Sequence, residues 1–146
     1  MFGAEEMNQS GPAYAKAHAA DLGKIALVGE SDSGPGPIWT ARLPAGVARH
    51  ASMAGLAAQL APIKVPVSAD PALSTGTDTA PLLAAGVPAV SLRTDQSRYF
   101  DLHHSADDTL DKVNPADLAQ NVAAWALVLR AAANADVNFR NPGAAQ

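Results

Sequence analysis

Apolar positions recur at helical spacing most clearly toward the end of the chain. Leu118, Val122, Trp125 and Leu129 follow one another at steps of three and four residues, which predicts a helix with one apolar face. Its start is well marked. Asn114 suits the N-cap, Pro115 the first helical position, and Asp117 the positive end of the helix dipole. After Asn134 the chain turns polar, with Pro142 and Gly143, and residues 135–146 read as a flexible tail.

Upstream, short apolar runs alternate with Ala-rich stretches. Ser10, Gly11 and Pro12 open a helix over Ala13–Leu22, which Gly23 closes. Lys24–Gly29 (KIALVG) lies between turn signals and is predicted to be a buried strand. Ile38–Leu43 is a second strand, expected at an edge, and Pro44–Leu60 an amphipathic helix. Ile63–Val67 reads as a short strand that Pro66 confines to an edge or an ending. A loop over Ala69–Asp78 precedes a short helix at Thr79–Ala85, closed by Gly86. Val87–Leu92 is the strongest apolar strand, and Arg93–Asn114 a long polar loop. Strands alternating with helices predict an α/β sheet covered by helices on both faces. Ligands in such folds bind where loops leave the carboxyl ends of the strands.

Composition narrows the functional classes. Of the 146 residues, 48% are apolar and 16% charged, and the net charge is −4, so the chain has no basic footprint for nucleic acid. No apolar run approaches the roughly 20 residues of a membrane-spanning helix. Cysteine is absent, so any metal must be held by His, Asp and Glu. Met1 is followed almost at once by the acidic Glu5 and Glu6, unlike the basic then apolar start of a secretory signal.

Three stretches concentrate chemistry-bearing side chains. In the adjacent Glu5 and Glu6, one carboxylate can bind a cation while the other handles a proton; a solvated acidic turn is the alternative. Asp32, in Glu30-Ser31-Asp32-Ser33-Gly34, follows the first strand, where it suits a ligand or merely a turn. Tyr99-Phe100-Asp101-Leu102-His103-His104-Ser105 runs on to Asp107 and Asp108. That density of imidazole and carboxylate suits zinc, although an exposed polar loop would carry the same residues. Ser31, with His104 as base, makes a weaker nucleophile reading, because Ser33 stands where G-x-S-x-G needs its second glycine.

These stretches, with Gly76-Thr77-Asp78 and Ala85-Gly86-Val87-Pro88, occur in an order that resembles the M28 metallopeptidases, in particular the plasma glutamate carboxypeptidase-like branch. The resemblance implies a zinc-exopeptidase-like three-layer sandwich with a mixed, mostly parallel sheet, residues 1–134 being the C-terminal portion of the peptidase domain. It implies hydrolysis at the ends of short peptides by a two-zinc site. Glu5 would be the general base, Glu6 and His104 ligands of one zinc, and Asp32 a ligand of the other. Thr77, Asp78, Tyr99 and His103 would lie near the substrate. Relatives of this kind are often periplasmic or secreted.

The chain departs from the family pattern at its beginning. A His and a bridging carboxylate expected before the Glu5-Glu6 pair are not matched here, and neither His18 nor His50 replaces them. The expectation is an N-terminally truncated domain that binds zinc incompletely and turns over little or no peptide alone. It would be completed by a missing N-terminal segment or by another copy. A non-catalytic remnant acting in binding or oligomerisation, and a serine hydrolase using Ser31, remain alternatives.

Overall fold

Ile38–Pro44 forms β1, and its buried Ile38, Ala41 and Leu43 place it at the centre of the sheet. The computed structural model describes residues 9–34, 36–70 and 73–143. β1 pairs in parallel with β2 (Val67–Asp70) and antiparallel with β3 (Ser91–Thr94), giving the order β2-β1-β3. The edge position expected for Ile38–Leu43 is therefore corrected, because both of its flanks carry a partner. Pro66 acts as expected at a boundary: β2 begins one residue after it, and Ile63 belongs instead to a single 3₁₀ turn at Ala61–Ile63.

Lys24–Gly29 is not a buried strand. Val28 makes one parallel bridge to Ala89, with Val28 N donating to Pro88 O (2.9 Å) and Val90 N donating to Val28 O (2.8 Å). Its residues are half-buried or exposed, since Ile25 N turns back to Leu22 O before any ladder extends. Gly29 is nonetheless fixed, because a Cβ there would lie 2.8 Å from the Trp125 ring.

The helices are shorter than the apolar pattern implied. α1 spans Ser10–Ala17, and Leu22–Lys24 is a separate 3₁₀ turn. The stretch expected as one helix to Leu60 divides into α2 (Ala45–Ala48), a 3₁₀ turn at Ala51–Met53 and α3 (Leu56–Leu60). His50 interrupts it by accepting a hydrogen bond from Ser52 N, and Gly55 precedes α3 as a poor helix former. α4 (Ala80–Ala84) ends before Gly86, whose φ of +82° suits a residue without Cβ. α5 is a single turn at Tyr99–Leu102.

α6 spans Pro115–Asn134 with Asn114 as N-cap, its side chain accepting from Ala116 N at 2.9 Å. The face it buries differs from the expected one. Asn121, Ala124 and Val128 turn inward, while Leu118, Val122 and Leu129 are each more than half exposed. Polar side chains set this rotation. Gln120 accepts from Ile38 N (2.9 Å) and donates to Ile38 O (2.7 Å), which locks the helix to the start of β1. The small Ala124 then permits close approach to the sheet. Trp125 alone of the expected stripe packs against the core.

Val47, Leu56, Leu60, Val90 and Leu92 complete that core, joined by Val137 and Phe139 from the stretch beyond α6. Residues 135–143, read from sequence as flexible, are thus anchored. Arg140 adds hydrogen bonds to the carbonyls of Gly86, Leu22 and Ile25.

Candidate functional site

Two loops meet where β3 ends. Thr94 donates its hydroxyl to Ser33 O (2.8 Å), tying the segment that carries Asp32 to the end of β3. Two glycines permit the close approach. A Cβ at Gly36 would sit 2.2 Å from Asp95 O. Gly34, at φ +81°, leaves room for the Tyr99 ring, which would lie 3.2 Å from an added Cβ. Asn121 donates to Gly36 O (3.0 Å), holding the same loop from the α6 side.

α5 then carries the imidazoles. His103 caps its end by donating its backbone N–H to Tyr99 O (2.9 Å), and His104 takes a left-handed φ of +57°. The turn stacks three rings. Tyr99 and His103 lie 4.5 Å apart, and His103 and His104 3.8 Å apart with their planes only 18° from parallel. The His103 orientation is therefore set by two ring neighbours.

Between these loops lies a cleft of about 960 Å³. Asp32 and His104 both line it, together with Thr77, Tyr99 and His103. Thus five of the residues singled out from sequence share one cavity. Asp78 is not among its lining residues; it accepts a hydrogen bond from the Ser10 hydroxyl at the start of α1. Glu5 and Glu6 lie outside the described residues.

Pattern reading overlooked several other lining groups. Asp95, Arg98, Lys112 and Asp117 give the cleft charges of both signs. Arg98 and Lys112 also pair at the surface, with Asp101 at 3.9 Å and Asp111 at 2.9 Å. The Ser97 backbone N–H beside Asp95, helped by the Ser97 side chain, holds the Asp95 carboxyl below its ordinary value. The Thr109 hydroxyl, and then Lys112, lower that of Asp111. Asp95 and Arg98 had no motif to mark them, and only the turn after β3 brings them to the cleft.

The donor chemistry fits a divalent cation in kind, since both carboxylates and imidazoles line the cleft. They do not converge, however: the described residues form no group of three or more His, Asp or Glu side chains able to hold a metal, the number usual in a catalytic site. Ser31 also lines the cleft, but the hydrogen bonds of the described residues include none from Ser31 to either imidazole.

Comparison with known proteins gives a consistent family. No family model matches the chain. Carboxypeptidase Q of Rattus norvegicus is 33% identical over 129 residues, which cover 88% of this chain and 27% of that protein. Carboxypeptidase Q of Mus musculus is 32% identical over 141 residues, 93% of this chain and 29% of that protein. The crystal structure of a peptidase M28 precursor from Shewanella amazonensis SB2B superposes with a TM-score of 0.85 at 40% identity, covering 94% of this chain and 31% of that one. The chain spans less than a third of the length of these relatives. The superposition and the identity over nearly the whole chain agree: this chain belongs to the M28 peptidase family, of whose fold it forms one part.

Proposed function

We propose that this chain contributes the Asp32 and His104 side of a zinc-dependent exopeptidase site acting on the ends of short peptides. The observation that carries the reading is that Asp32 and His104, on loops far apart in sequence, face one cleft at the end of a strand. Glu6 would join His104 on one cation, Asp32 would hold the other, and Glu5 would be the general base. When bound, zinc supplies a Lewis acid that polarises the peptide carbonyl. Glu5 would take the proton of the attacking water. As the C–N bond breaks, it would pass that proton to the leaving amine. Thr77, Tyr99 and His103 would contact the peptide, and a periplasmic or secreted location fits the family. No helix among the described residues is long and apolar enough to cross a membrane.

The site also needs donors beyond those on the chain's described loops. A second reading, that the chain works by associating with further polypeptide, is favoured by one observation. Leu118, Val122 and Leu129 form an exposed apolar row on α6. Both readings predict weak zinc binding and little turnover by the isolated chain.

Dipeptide hydrolysis with and without added zinc tests the first. Any turnover should vanish with a chelator and with Glu5→Gln, while Glu5→Gln keeps its metal. Labelling of Ser31 by a fluorophosphonate, insensitive to chelator, would contradict it.

A further inference from the structure

Glu30 sits two residues before Asp32, yet it is absent from the cleft lining. Its carboxylate turns the other way, toward the start of α4. Oε2 accepts from both the backbone N–H and the hydroxyl of Thr79, each at 2.9 Å. Thr79 is buried and precedes α4 as its N-cap, but its side chain makes no cap bond of its own. The Glu30 carboxylate instead fixes Thr79 itself from outside the helix, accepting its otherwise orphan amide. Gly76 completes the arrangement. A Cβ there would lie 2.0 Å from Glu30 Oε1, so only glycine lets the carboxylate seat itself. Between Gly76 and Thr79 stands Thr77, which lines the cleft together with Asp32.

We propose that Glu30 is a positioning residue. By clamping the 76–79 turn to the segment that leads into Asp32, it fixes the Thr77 and Asp32 walls of the cleft relative to one another. It acts through Thr79, by accepting hydrogen bonds, and not through its charge. The inference rests on the proposed function only for its consequence on metal binding; the clamp itself stands on the contacts above.

The test uses Glu30→Gln, Glu30→Ala, Thr79→Val and Gly76→Ala in this chain. Amide hydrogen exchange and amide NMR shifts are read at Asp32, Thr77 and Thr79, beside zinc titration. Glu30→Gln keeps an acceptor oxygen without the charge, so it should preserve Thr79 protection and zinc affinity. Glu30→Ala removes both hydrogen bonds and should speed Thr79 exchange about tenfold or more. It should also shift the Asp32 and Thr77 amides and weaken zinc binding about tenfold. Gly76→Ala should reproduce the alanine variant by displacing the carboxylate, and Thr79→Val should give part of its effect if Glu30→Ala fails to fold.

Unchanged Thr79 exchange and Asp32 shifts in Glu30→Ala or Gly76→Ala would overturn the clamp. Equal loss of zinc affinity in Glu30→Gln and Glu30→Ala would overturn the exclusion of charge. If the wild-type chain takes up no zinc, the metal reading fails by itself, and the exchange and shift measurements still decide the clamp.

Discussion

Asn121, on the buried face of α6, donates its side-chain amide to the carbonyl of Gly36, 3.0 Å away in the loop that lines the cleft. The same amide also donates to Asp117 O at 2.8 Å, so helix and loop share one buried polar group. Replacing Asn121 by Leu leaves two carbonyls without this donor, and should destabilise the fold by about 1–3 kcal/mol. Chemical denaturation checks the stability. Faster exchange confined to the Ser33, Gly34 and Gly36 amides would show that the bond holds the cleft wall.

The segment after α6 is expected to be part of the folding unit. Phe139 is buried in the core, so Phe139→Ala should cost about 3 kcal/mol. Arg140→Ala should cost less, about 1 kcal/mol, since its carbonyl partners lie where water can replace it. Thermal unfolding of both variants measures the difference. Equal and negligible effects would mean that this segment is loosely attached.

The exposed row on α6 predicts the reverse behaviour. Leu118→Lys, Val122→Lys and Leu129→Glu replace side chains that are more than half exposed, so each should change stability by no more than about 0.5 kcal/mol. If the row meets further polypeptide, the triple variant should be more soluble and should lose any self-association seen by light scattering. A loss of several kcal/mol would instead show that α6 buries this face in solution.

Asp95 supplies a pH-dependent element in the cleft lining. Its pKa is lowered, below the ordinary 3.8, chiefly because the Ser97 backbone N–H donates to it. A lowered folded-state value stabilises the turn above the unfolded pKa, and the gain disappears as pH falls through the folded value. NMR titration should therefore find Asp95 ionised below pH 3.8. Ser97→Pro, which removes the N–H, should bring its midpoint back up.

How far the sequence revealed this molecule depends on what sets each feature. The cap at Asn114 and the closure at Gly86 are local choices of dihedral and hydrogen bond, so they were legible. The rotation of α6 was not, because Leu118, Val122 and Leu129 and the opposed Ala124 and Val128 make two apolar faces on one helix. Gln120 and Asn121 decide between them through bonds to residues far away in sequence. The central place of β1 likewise depends on which strands flank it. At the cleft, Asp32 and His104 stood out by residue type. Glu30 did not, since its work depends on the space left at Gly76.

The most direct measurement follows the four histidines by NMR as zinc is added to the chain, alongside Asp32→Ala and His104→Ala. Zinc should perturb the His104 ring and its stacked neighbour His103 and leave His18 and His50 unchanged; His104→Ala should abolish the response at His103, and Asp32→Ala, which removes the ligand of the other cation, should weaken it only in part. A response centred on His18 or His50, or one that survives both substitutions, would contradict it.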